Sequence, residues 1–151
     1  MPEAAHDVTD TSPLVVVGVD GSKPGAEAVE WALAEARLRG ARLRVVHAWH
    51  PSAGYGYPYA ITIPIGVFED AARDCLAEST RDLDAEGTLG IETALVCGSA
   101  AQVLLEASAH ADLVVVGSRG HGGFAGLLLG SVSQQLVQHA TCPVVIVHPK
   151  R

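Results

Sequence analysis

The residues with the clearest chemical meaning are Gly117 and Gly120, then Gly130 and Ser131 after nine intervening positions. An apolar run, Leu113 to Val116, precedes them and reads as a buried strand. Val132 to Ala140 follows and reads as a helix. A helix start presents N–H groups without partners and a partial positive charge, and glycines let the backbone come close to an anion. Ser131 and Ser133 add hydroxyls at the same place. The chemistry this order suits is the holding of a phosphate group.

Two common phosphate loops are excluded. The only lysines are Lys23 and Lys150, so there is no GxxxxGK[ST] loop. Gly18 and Gly21 have the wrong spacing for a GxGxxG turn, and Asp20 would put a negative charge inside it. Arg119 has two readings, a counter-charge to phosphate or a solvent-facing side chain. Asp20 also has two, a ligand-facing carboxylate or a turn carboxylate ahead of a helix capped by Ser22. His121 reads as an exposed loop residue. His47 and His50 fall on opposite faces of a strand and so make no metal pair. His139 and His148 read as structural or surface residues, and Cys97 and Cys142 as small core side chains.

The elements that must position these residues alternate along the chain. Leu14–Val19, Leu43–Trp49, Ile91–Cys97, Leu113–Val116 and Pro143–His148 read as strands. Glu92 and Thr93 make the third strand polar, which suits a sheet edge. Between the strands lie four helical patterns. The first starts at Ser22, carries Pro24 in its opening turn, points Ala26, Val29, Leu33 and Ala36 inward, and closes at Gly40. The second runs from Phe68 through Ala72, Cys75 and Ser79 to Leu83. The third opens at Gly98–Ser99 and turns Val103, Leu104 and Ala107 inward. The fourth is lined by Leu129, Val132, Leu136 and Ala140. The segment His50–Gly66, with Tyr55, Tyr57 and Tyr59, is a long loop that either closes over a ligand or packs on its own protein.

Alternation of this kind predicts an α/β fold, an open five-stranded parallel sheet with helices on both faces. Ligands of such sheets sit beyond the carboxyl ends of the strands, where strand order reverses. If the first and fourth strands are neighbours, Asp20 and Gly117 face one crevice. The chain's 151 residues suffice for one domain, expected over 13–149 after a mobile tail of 1–12. A net charge of −7 opposes a general nucleic-acid or acidic-membrane binder. Three cysteines without a CxxC pair fit a reducing compartment. No apolar run approaches the roughly 18 residues of a membrane span, so a cytoplasmic protein is expected.

The G-x2-G-x9-G-[S/T] pattern at Gly117, Gly120, Gly130 and Ser131 closely resembles the ATP-binding signature of the universal stress protein family. Val15 to Ser22, Val45 to Ala48 and Pro143 to Val147 also look like that family's first, second and last strands. The resemblance spans roughly residues 12 to 149. It implies a Rossmann-like sheet of order 3-2-1-4-5. It implies adenine nucleotide contacts from Gly18, Val19 and Asp20, with Asp20 at the ribose or at a nucleotide-bound Mg2+. Backbone around Ala48 would hold the adenine edge. Gly117, Gly120, Gly130, Ser131, Val132 and Ser133 would hold the phosphates, with Ser118 and Arg119 also among the nucleotide-binding residues. It further implies a homodimer formed through the edge strand Val144–Val147. The expected function is an ATP-binding, nucleotide-dependent regulator of a stress response with at most slow hydrolysis. The alternatives are a cyclic AMP binder, a dimeric interaction module that binds no ATP, and an adenylyl-transferring enzyme on a related scaffold.

Overall fold

In a computed structural model, residues 11–51, 63–84, 87–120, 126 and 128–150 are described. Five strands alternate with four helices: β1 Leu14–Val19, α1 Lys23–Arg39, β2 Arg42–Trp49, α2 Ile65–Thr80, β3 Ile91–Cys97, α3 Ala100–Ser108, β4 Leu113–Gly117, α4 Ser131–His139 and β5 Val144–Val147. The strands form one sheet in the order β3-β2-β1-β4-β5, and every pairing is parallel. The expected topology and its reversal between β1 and β4 are therefore present.

Side chains alternate across the sheet, and this splits the core in two. Val15, Val17, Leu43, Val45 and Val115 pack with Ala28, Val29, Ala32 and Ala36 of α1 and Leu76 of α2. On the other face Leu14, Val16, Val46, Val114 and Val116 pack with Leu104 of α3 and Leu136 of α4. Central β1 and β4 are buried on both faces, whereas β3 and β5 at the edges are only half-buried. Polar Glu92 does lie on an edge strand, where it bonds Arg42 Nη1 at 2.8 Å and Arg44 Nη2 at 2.7 Å on β2.

Several sequence expectations are corrected. Ala26 is exposed, and α1 instead buries Gly25, Ala28, Val29, Ala32 and Ala36. An alanine-rich helix is weakly apolar all round, so its inward stripe is ambiguous from periodicity. The second helix starts earlier, at Ile65, and takes in Gly66. It stops at Thr80, whose hydroxyl bonds the Leu76 and Ala77 carbonyls. Leu83 lies beyond it but still packs on the core. Leu129 lies outside α4. Cys97 is exposed at the end of β3, not a core side chain. Cys142 is half-buried. Burial raises the thiol pKa of Cys75 and Cys142, and the charges of Asp20 and Asp112 respectively add to it. The tail 1–10, the tyrosines of the His50–Gly66 loop and His121 lie outside the described residues. No helix of the described residues is long and apolar enough to cross a membrane.

Two outcomes follow for stability. Leu136 is fully buried between α4 and the sheet. Leu136→Ala should destabilise by about 2–5 kcal/mol in denaturant titration, a cavity-scale loss. Burial raises the Glu92 pKa, but hydrogen bonds and charge from Arg44 and Arg42 more than offset this and hold it below its ordinary value of 4.5. A depressed carboxylate stabilises the fold above its unfolded pKa, and that contribution fades as pH falls through its folded pKa. The Tm gap between the protein and Glu92→Gln should thus be widest near neutrality and shrink below about pH 4.5. It should be small throughout, because the carboxylate is partly exposed and screened.

Candidate functional site

The glycine pattern is one site because of backbone hydrogen bonds that close it. Ser118 N–H donates to the Val147 carbonyl at 2.9 Å, which ties the loop after β4 to β5. The Ser118 carbonyl in turn accepts the Gly130 N–H at 2.7 Å and the Ser133 hydroxyl at 3.1 Å. The two halves of the motif meet there. Gly130 is the N-cap of α4 and has no side chain to cap with. The first N–H groups of that helix have no preceding turn to bond. They sit beside Gly117 and Gly120 around a single cleft.

Close approach explains two of the glycines. A Cβ on Gly117 would lie 2.9 Å from the Pro24 backbone, so β4 and the start of α1 meet without room for a side chain. A Cβ on Gly120 would collide with Asp20 Oδ2. Asp20 is held from its other oxygen: Oδ1 accepts the Ser22 N–H at 2.9 Å and the Ser22 hydroxyl. Ser22 Oγ then accepts the Gly25 N–H at 3.2 Å and caps α1. Both readings of Asp20 thus apply, since it braces the turn and also lines the cleft.

The cleft has a volume of about 530 Å3 and opens at the carboxyl ends of β1 and β4. Every residue that the sequence resemblance assigns to the nucleotide lines it except Ser118. Ser118 is buried under the loop, and its hydroxyl has no hydrogen-bond partner among the described residues. Ser118 therefore does not line the cleft, and its carbonyl braces the motif. Ser133 reaches the cleft, but its buried hydroxyl lies 3.1 Å from the Ser118 carbonyl and 3.0 Å from the Gly130 carbonyl. Its hydroxyl is therefore a strut, and its N–H is the group left for an anion. Arg119 is exposed at the rim.

The sequence did not single out Gly25, Val46, Ala100, Leu104 and Val116, which also line the cleft. Val46 lies two residues before Ala48, so strand alternation alone places it on the same face. Leu104 belongs to α3, and its approach to Gly18 is a tertiary contact with no local signal. Together Val46, Val116 and Leu104 form an apolar wall that suits a flat ring. The glycine loop and the start of α4 present N–H donors that suit an anion. Among the described residues, Asp20 is the only carboxylate lining the cleft, and no group of three or more potential metal ligands exists.

Comparison with known proteins agrees with this geometry. The universal stress protein family model matches residues 14–148. Universal stress protein Rv2005c of Mycobacterium tuberculosis is 36% identical over 139 residues, covering 89% of this chain and 47% of that protein. The chain thus spans about half the length of the curated relatives it matches. A solved universal stress protein in complex with cAMP is 31% identical, with a TM-score of 0.68 over 91% of this chain and 97% of that one. UspA from Lactobacillus plantarum shares the fold at 20% identity, with a TM-score of 0.75 over 90% and 97% of the two chains. The Archaeoglobus fulgidus protein in complex with dAMP shares it at 24% identity, with a TM-score of 0.63 over 89% and 97%. With its family match, its relatives and a cleft at the β1–β4 reversal, the chain belongs to the universal stress protein family.

Proposed function

We propose that this cleft binds ATP together with Mg2+, and that the protein is a nucleotide-dependent regulator of a stress response with at most slow hydrolysis. The observation that carries the reading is the joining of an apolar wall to a closed glycine loop at the start of α4. The wall of Val46, Val116 and Leu104 takes the adenine, and backbone at Ala48 offers its edge polar partners. N–H groups of Gly120, Ser131, Val132 and Ser133 take the phosphates. Asp20 faces the same loop, so a divalent cation between its carboxylate and the phosphates turns a repulsion into an attraction. Such a cation arrives with the nucleotide, because one carboxylate is too few to hold it alone.

Hydrolysis needs positioned cations and a placed nucleophile. Among the described residues lining the cleft, Arg119 is the only cation and Asp20, tied to Ser22, the only carboxylate. Neither arrangement favours rapid turnover. Cyclic AMP is the second reading, supported by the 31% identical structure that holds it. It shares the adenine, ribose and phosphate that the cleft suits but gives less occasion for a metal. The reading also includes a homodimer through β5, an edge strand whose outer side pairs with no strand among the described residues and invites a second copy.

Calorimetry on purified, nucleotide-free protein should show micromolar-range ATP binding that strengthens with Mg2+. Tighter binding of cyclic AMP, with no Mg2+ effect, would select the second reading, and no heat with either would overturn both. Gly117→Ala and Gly120→Ala should weaken ATP by roughly ten-fold or more, since each added Cβ overpacks the loop by 1–3 kcal/mol. Sedimentation should give a dimer; a monomer at high concentration would remove the edge-pairing argument.

A further inference from the structure

We infer that His47 is a positioning residue for Asp20, and so for nucleotide binding in the cleft; the inference rests on the nucleotide reading above. His47 is half-buried on β2, directly opposite Val19 in the β1–β2 register. By strand alternation it shares a face with Val45, away from the cleft-lining Val46 and Ala48, and it does not line the cleft itself. Its ring nevertheless reaches the end of β1: Nδ1 lies 2.8 Å from the Val19 carbonyl oxygen. A carbonyl only accepts, so Nδ1 carries the proton and donates.

That carbonyl belongs to the peptide plane joining Val19 to Asp20. Fixing it fixes the plane from which Asp20 leaves the strand. At its other end the Asp20 carboxylate is fixed through Oδ1 by the Ser22 N–H and hydroxyl. Asp20 is thus held at its backbone by His47 and at its side chain by Ser22, with Oδ2 turned to Gly120. The contact with Gly120 leaves little space, so a small rotation of the Val19–Asp20 plane either drives Oδ2 into the glycine loop or withdraws it. A residue on the far face of the sheet thereby sets the distance between a carboxylate and the phosphate cradle.

The test uses ATP with Mg2+ and the full chain. The variants are His47→Leu, His47→Asn, Asp20→Ala and the His47→Leu/Asp20→Ala double substitution. Leucine removes the donor, whereas the asparagine amide nitrogen takes the place of Nδ1. His47→Leu should weaken ATP about five-fold, the scale of one lost hydrogen bond. His47→Asn should restore most of that. In the Asp20→Ala background the leucine change should cost nothing further. An equal loss in both backgrounds, or no rescue by asparagine, would mean that His47 only supports the fold. If the unsubstituted protein binds no adenine nucleotide, the nucleotide reading fails. The brace itself is read without ligand, by hydrogen exchange at the Ser22 and Gly25 amides. His47→Leu should speed that exchange and His47→Asn should not; unchanged exchange in His47→Leu overturns the inference.

Discussion

The site depends first on one carbonyl. Ser118 O receives both the Gly130 N–H and the Ser133 hydroxyl, and its own residue is fixed to β5 through its N–H. Take that acceptor away and the start of α4 has no fixed relation to the end of β4. The helix would keep Leu136 in the core, since that contact is apolar and non-directional. It would lose the register that brings its first N–H groups against Gly117 and Gly120. Apolar burial decides that α4 lies on the sheet; the polar junction decides where its N-terminus stops. Ser118 is buried because this junction must be dry to be strong.

The sheet supplies the other half of the site by its order. β1 and β4 are neighbours although three helices and two strands separate them in sequence. Their loops therefore diverge at the carboxyl end, with α1 rising on one face and α4 on the other. Pro24 comes within contact of Gly117 at that fork, which is why a glycine stands there. The chain carries a net charge of −7, so its overall field does not draw anions in. An anion would have to be attracted locally, by the backbone dipoles at the start of α4.

Much of this was legible from residues alone. The alternation of apolar runs fixed the element order, and the P-loop and dinucleotide spacings were excluded by Lys23, Lys150 and Asp20. Gly117, Gly120, Gly130 and Ser131 do line one cleft. What the sequence hid was direction. Ser118 and Ser133 look like phosphate donors by type and place, yet the structure uses one as a carbonyl brace and the other as a hydroxyl strut. Burial and partner choice are tertiary facts, and a serine reads the same in either role. The α1 stripe was misjudged at Ala26 for a related reason, because alanine carries too little apolar area to mark a face. Leu104 was missed as a wall residue because it reaches the cleft only by packing over Gly18.

The remaining question is why a carboxylate stands in a cleft whose other polar groups suit an anion. Asp20 is too well braced to be incidental, with Ser22 on Oδ1 and Gly120 against Oδ2. Its first structural service is to organise the turn that starts α1, which a neutral asparagine could do nearly as well. The charge adds something different. It penalises a bare phosphate near Gly120 and rewards one that brings a cation, so it discriminates between metal-loaded and metal-free anions by sign alone. Fixed N–H dipoles favour any anion of the right size and cannot make that distinction. Under the proposed reading, a site built from both elements would favour a cation–phosphate pair. Because the carboxylate is tied to Ser22, it is poorly placed to turn toward water and promote attack. That restraint on Asp20 fits the proposal of a cleft that retains its nucleotide more than it cleaves it.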